Sequence, residues 1–280
     1  MRSMPSLESP WPRPAFGAFR SALASVRLGA GGAMAGWPVL VGRAMFYVLL
    51  MSVLTALWDK VIAERLPGSL VAALPAGGLA LYIGATEWIG LSVPAIHLRL
   101  EDDVRSGALE AHLLRPKAYL VQRIAEALGA MLVRMAVTGS AALILLAVSG
   151  RAWPPLTGLA ALAVAGPLGA TIGVLLFTIA GLSAFWARRT LPVFLIIQKL
   201  LFLLGGLFAP ITLYPLWLAQ LGKLSPFAAH LFWPASLMIA PSWVAVRYAL
   251  ASQLAWIVLL SALIALIWRA GERKLLRGDL

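Results

Sequence analysis

Cysteine is absent from the chain and charged residues are scarce. Without cysteine, disulfide bonds, thiolate catalysis and thiolate zinc sites are excluded. Charged residues make up 12% of the 280 residues, whereas soluble domains have about 25%. Apolar residues make up 61%, and the mean hydropathy is +0.89. This composition predicts an all-α polytopic membrane protein.

The sequence also lacks the motifs of several kinds of catalytic or ligand site. No G-x-x-x-x-G-K-[ST] phosphate loop is present, so any uphill transport would need an ion gradient or a separate ATPase. The three histidines are too scattered to suggest a metal motif. No histidine is predicted at the depth of the mid-span serines, which are Ser52, Ser92, Ser140 and Ser183.

Six apolar segments are predicted to cross the hydrocarbon core, which is about 30 Å thick. They are Pro38–Trp58, Ala73–Leu98, Ala125–Val148, Leu159–Trp186, Leu191–Phe208 and Trp243–Trp268. They form one domain, residues 37–268, between a partly amphipathic lead-in on the membrane surface (1–36) and a basic tail (269–280). Lysine and arginine cluster on the side of both termini, which the positive-inside rule makes cytoplasmic.

The stretch from 209 to 242 is apolar, but five prolines divide it into pieces too short to cross. These are Pro210, Pro215, Pro226, Pro234 and Pro241. We predict that this stretch, called the outer segment after its predicted side, forms re-entrant or interfacial helices, because a broken backbone at membrane depth must be buried in protein.

A few polar residues fall inside the predicted spans, where ionisable groups are costly. Glu87, Gln198 and Lys199 are either structural partners or residues of a translocation pathway. Glu87 and Lys199 come to nearly the same depth, so they could form an ion pair if their helices adjoin. For Glu126 and Arg134 we favour snorkelling and a hydrogen bond that stabilises the bundle.

The longest polar interval between two apolar runs is 101–119, with the sequence EDDVRSGALEAHLLRPKAY. Its acidic start and basic end suit the dipole of a single helix, which Pro116 would end or kink. An apolar face recurs at helical spacing through Val104, Ala108, Ala111 and Leu114. We therefore predict a cytoplasmic docking helix over 101–119, and the alternative is a solvated interfacial loop.

This interval resembles the cytoplasmic segment between the second and third spans of type-2 ABC (ABC-2-type) transporter permeases. The resemblance implies a coupling helix seated in a cleft of an ATPase, with eight coupling residues: Asp103, Arg105, Gly107, Glu110, Leu113, Leu114, Arg115 and Pro116. It also implies a second permease subunit, identical or homologous, and two cytoplasmic ATP-binding subunits. Those subunits would carry ATP and Mg²⁺, and the permease itself would hold no cofactor or metal. The outer segment would help to gate the exit at Pro210, Pro215 and Pro226.

The expected function is that of a permease subunit of an ATP-driven exporter in the bacterial cytoplasmic (inner) membrane. Because the pathway is poor in charge, a hydrophobic or amphipathic substrate, such as a drug-like molecule, is expected. The alternatives are a secondary transporter, which usually has more spans and inverted repeats, and a membrane-embedded enzyme, which would need a nucleophile and base.

Overall fold

The computed structural model describes residues 15–63, 77–109, 119–187, 189–207 and 210–277. These residues form helices joined by turns, and no strand occurs among them. In chain order the helices before the outer segment are α1 (Ala15–Ala35), α2 (Trp37–Ala63), α3 (Gly78–Ser92), α4 (Ile96–Arg105), α5 (Tyr119–Val148), α6 (Leu156–Leu182) and α7 (Leu191–Leu204). They are followed by α8 (Leu216–Leu224), α9 (Pro226–His230), α10 (Phe232–Ser236) and α11 (Trp243–Leu276).

Five stretches of the described chain are long and apolar enough to cross a membrane. They are Trp37–Lys60, Gly78–Arg105, Tyr119–Val148, Leu156–Phe185 and Trp243–Leu275. This confirms a polytopic all-α protein. The predicted span Leu191–Phe208 is shorter than expected, because α7 has 14 residues and would rise only about 21 Å. The last residue of α7 is Leu204, its C-cap is Gly205, and Gly206 follows with φ +67°.

The α3–α4 stretch and the α6 stretch are the most buried of the five and lie at the centre of the bundle. The most apolar windows of the α3–α4 stretch and of the α6 stretch are 61% and 56% buried, against 17% for those of α2, α5 and α11. Tyr82 and Ile89 of α3 and Ile172 of α6 are fully enclosed. The other three long helices expose broad apolar faces, as lipid-facing helices do.

The second predicted span is broken in its lower part. Proline has no backbone N–H and biases the preceding residue away from helix, so α3 ends before Pro94, with Val93 in an extended conformation (ψ 124°). Arg43 Nη1 donates to the carbonyl of Leu91 (2.5 Å), and Arg134 Nη1 donates to that of Val93 (3.3 Å). The bundle-stabilising hydrogen bond predicted for Arg134 is therefore confirmed.

The predicted single helix over 101–119 is wrong in its first half. Glu101, Asp102 and Asp103 lie in the last turns of α4, which begins at Ile96 and ends at Arg105. Gly107 then adopts φ +72°, a left-handed conformation that glycine reaches without strain and that commonly stops a helix. The acidic residues thus occupy the negative end of a helix dipole and need compensating partners.

The outer segment consists of short pieces, as predicted from its prolines. The helices α8, α9 and α10 have nine, five and five residues. His230 of α9 is buried against α6, where its Nδ1 lies 2.8 Å from the carbonyl oxygen of Gly169. A Cβ at Gly169 would lie 2.5 Å from the backbone oxygen of His230, and one at Gly173 would lie 2.6 Å from its ring. Both glycines therefore serve the close packing typical of membrane helices.

The helix α1 packs against α5 at two glycines. A Cβ at Gly29 would lie 1.9 Å from the carbonyl oxygen of Glu126, and a Cβ at Gly129 would lie 1.9 Å from that of Val26. This part of the predicted lead-in is thus packed on the bundle through backbone contact.

We expect Gly29→Ala to destabilise the protein by about 1–3 kcal/mol, because the new methyl group must push two backbones apart. The matched control is Gly31→Ala, where a Cβ meets nothing within 4 Å. That variant should be neutral or more stable by up to about 1 kcal/mol, since alanine favours helix over glycine. Thermal unfolding in detergent measures both, and equal stability of the two variants would contradict the close contact.

Candidate functional site

A polar cluster forms where α4 ends and α5 begins. Asp103 Oδ2 accepts hydrogen bonds from Tyr119 Oη (2.5 Å) and Arg123 Nε (2.9 Å). Arg123 Nη1 also donates to Glu126 Oε2 (3.0 Å). These four residues, Asp103, Tyr119, Arg123 and Glu126, are called the junction cluster below. Charge-assisted bonds of this kind are about twice as strong as neutral ones.

The junction cluster lies at the two ends of residues 106–118, which are called the docking segment after their predicted role. Asp103 lies just before that segment, whereas Tyr119 and Arg123 lie just after it. The side chains of Asp103 and Arg123 are 18% and 19% exposed, so their ion pair is screened less than a surface pair. The pair therefore holds the end of α4 to the start of α5.

Glu101 connects the same region to α7. Its Oε2 accepts hydrogen bonds from the backbone N (2.8 Å) and Oγ1 (2.6 Å) of Thr190, the residue before α7. Its Oε1 lies 3.5 Å from Arg105 Nη1, one helical turn away. Glu101 is 7% exposed. Sequence reasoning missed Thr190 as the partner of Glu101. The only sign of such a partner in the sequence was Glu101 itself, an acidic residue that needs a hydrogen-bond donor.

The helix α11 reaches the junction cluster through aromatic rings. Trp268 stacks on Tyr119 with centroids 5.6 Å apart and meets Phe185 edge-on at 5.7 Å. Lys274 Nζ donates to the carbonyl of Phe185 (2.9 Å), which lies just past the end of α6. The basic tail predicted at 269–280 is thus, up to Leu276, a continuation of α11.

The predicted coupling residues fall partly outside the described chain. Asp103 lies in the junction cluster, Arg105 is exposed beside Glu101, and Gly107 makes the turn after α4. The other five lie outside the described residues, and they are Glu110, Leu113, Leu114, Arg115 and Pro116.

The predicted ion pair between Glu87 and Lys199 is wrong within this protomer. Glu87 is buried on α3 with 7% of its surface exposed, and it has no hydrogen bond or ion pair with any described residue. Lys199 is exposed on α7, with Nζ 5.6 Å from the ring centroid of Phe202. Ile197 and Leu201 form the buried side of α7, so the helical period turns Lys199 away from the core. Gln198 is half-buried between these two faces.

The prolines predicted to form an outer gate begin the short elements of the outer segment. Pro210 and Pro215 precede the turn Ile211–Leu213 and α8, and Pro226 is the first residue of α9. Proline suits the first turn of a helix, where its missing N–H leaves no bond unmade. No group of three His, Asp or Glu side chains that could hold a metal ion occurs in the described residues.

Replacing Glu101 with alanine should destabilise the protein by about 1–3 kcal/mol, because the buried N–H of Thr190 then loses its acceptor. The control is Asp102→Ala, which removes a neighbouring carboxylate on the exposed face of α4 and should change stability by less than about 0.5 kcal/mol. Thermal unfolding of both variants in detergent tests this, and an unchanged Glu101→Ala protein would refute the tether.

One comparison with known proteins matches most of this architecture. The family model described as ABC-2 family transporter protein matches residues 86–276. The match includes the break at Pro94, the junction cluster and the short helices of the outer segment. No curated protein matches the chain. Because the matched residues make up more than half of the sequence, the chain belongs to the ABC-2 family of transporter proteins, the membrane components of ABC transporters.

Proposed function

We propose that the chain is the permease subunit of an ATP-driven exporter in the bacterial cytoplasmic membrane. It would pair with an identical or homologous permease and with cytoplasmic ATP-binding subunits that hold ATP and Mg²⁺. The cargo is a hydrophobic or amphipathic molecule. The observation that carries the proposal is the junction cluster, which closes both ends of the docking segment within the family-matched region.

The docking segment would transmit movement of the ATPase into the bundle along two routes. The Asp103–Arg123 ion pair joins α4 to α5 at the two ends of this segment, and Glu101 joins α4 to the start of α7 through Thr190. In this mechanism, closure of the ATPase pushes the segment, and these hydrogen bonds pass the displacement to α7. The contacts are short and partly buried, as force-bearing contacts need to be.

The exposure of Lys199 supports a pathway near α7. A lysine that faces lipid at the centre of the hydrocarbon core costs about 2.5–3.5 kcal/mol, and less nearer to its surface. A water-filled pathway, or contact with the second permease, would remove most of that cost. Gln198 beside it would offer a hydrogen-bonding group on the same helix. Glu87 is buried on α3, and as a pathway residue it would need movement of the bundle to reach the cargo.

We expect the double variant Leu114→Ala/Arg115→Ala to remain in the membrane but to lose its ATPase. Leucine supplies apolar contact and arginine supplies charge to the proposed cleft. The control is Lys223→Ala/Leu224→Ala, which likewise removes one basic residue and one leucine, here from the end of α8. Co-purification of the ATPase and transport-stimulated ATP hydrolysis measure the effect. Unchanged values in the first double variant would exclude the docking segment as the coupling element.

The proposed topology puts both termini inside and the outer segment outside. Leu216→Cys and Leu224→Cys replace exposed side chains near Pro215 and Pro226, in a chain with no native cysteine. A membrane-impermeant maleimide should label both in intact cells. It should label the control, Arg27→Cys on α1, only after permeabilisation. Labelling of the two outer sites from opposite sides would overturn this arrangement.

A further inference from the structure

A cavity of about 670 Å³ lies between α2, α3, α5 and α6. Several of the residues that line it are small, among them Ala56, Gly84, Gly139, Ala142 and Ala163. Its volume is in the range of sites for drug-sized ligands, about 300–1,000 Å³. It is called the lateral cavity here, because α2 and α5 are mainly exposed helices and Leu143 on its rim is 47% exposed. It therefore opens toward lipid.

The interior of the lateral cavity is chemically apolar even where its lining residues are polar. The side-chain donors that line it already bind backbone carbonyls. Tyr47 Oη donates to Gly84, Trp88 Nε1 to Met135, Ser52 Oγ to Val48, Thr55 Oγ1 to Met51 and Ser149 Oγ to Leu146, at 2.6–3.1 Å. With these donors engaged, water would find few partners inside. An alkyl chain would gain dispersion contacts with the walls.

One end of the cavity carries two opposite charges. Asp59, near the end of α2, forms an ion pair with Arg151, just past α5. Their side chains are 51% and 34% exposed, so an incoming group can reach both. From Asp59 to Tyr47 the cavity wall follows twelve residues of α2, a rise of about 18 Å. The hydrocarbon of one leaflet is about 15 Å deep, so an acyl chain whose headgroup lies at the ion pair would run along most of this wall.

We propose that the lateral cavity binds one acyl chain of a zwitterionic phospholipid, with its headgroup at the Asp59–Arg151 pair. The phosphate binds Arg151 and the ammonium binds Asp59, which replaces one ion pair with two charge-assisted contacts. An anionic lipid is disfavoured, because its phosphate would take Arg151 and its headgroup brings no cation to replace Arg151 at Asp59. The inference concerns binding alone and does not depend on ATP-driven export.

The test is native mass spectrometry of the full-length protein, released from detergent after titration with phosphatidylethanolamine or phosphatidylglycerol of the same acyl chains. One phosphatidylethanolamine per protomer should bind saturably, at least about tenfold more tightly than phosphatidylglycerol.

Asp59→Asn should remove this preference, and Arg151→Gln should weaken the binding of both lipids. These rim residues are exposed, so their variants should fold. Equal affinity of the wild type for the two lipids, or an unchanged preference in Asp59→Asn, would overturn the headgroup assignment.

A second pair of variants tests the cavity itself. Ala142→Phe fills it and should abolish the saturable lipid. Ala136→Phe adds the same ring to an exposed position of α5 that does not line the cavity, and it should bind lipid as the wild type does. Retention of the lipid by Ala142→Phe would overturn the site. If Ala142→Phe instead dissociated a dimer and left the lipid count unchanged, a second copy of the chain would be the occupant and the proposal would be wrong.

Discussion

In a hydrocarbon core no water is present to bind a backbone carbonyl, and this constraint governs the places where the helices are interrupted. The breaks at the ends of α3 and α7 are each bound by side chains from other parts of the chain. Arg43 and Arg134 serve the end of α3, and Tyr82 Oη donates to the carbonyl of Gly206 past the end of α7 (2.7 Å). Such bonds allow irregular backbone at membrane depth.

Buried backbone carbonyls also need donors where the short helices of the outer segment pack on the centre of the bundle. Gln253 of α11 donates to the carbonyls of Ala165 in α6 (2.8 Å) and Ala229 in α9 (3.1 Å). His230 meets α6 at Gly169. A five-residue helix is too short to be stable alone, so α9 depends on this packing. The glycines of α6 make the packing possible by letting the backbones approach.

The two ends of the bundle differ in how they handle charge. At one end, the junction cluster joins α4 to α5, and Glu101 joins α4 to Thr190 at the start of α7, through partly buried or buried bonds. At the other end, Asp59 and Arg151 form a single exposed pair above an apolar cavity. The first arrangement holds helices together. The second leaves its charges within reach of other groups.

Sequence reasoning succeeded where a property depends on local composition. The apolar runs predicted the membrane helices, the prolines of 209–242 predicted short pieces, and the motif at Asp103 to Pro116 indicated the family. It was less successful at helix ends, since a stop at Ser92 or Arg105 depends on one proline or one glycine rather than on a periodic pattern.

By itself, the sequence determined that the chain is a helical membrane protein, because hydropathy and length suffice for that. Tertiary structure decided which charges meet. Equal depth did not bring Glu87 to Lys199, because pairing also needs adjoining helices and facing sides, and Lys199 faces outward. Conversely, Glu101 meets Thr190 across 89 positions of sequence. The sequence could not show the lateral cavity either. Its small residues lie on four helices, and only the packing of those helices places them around one space.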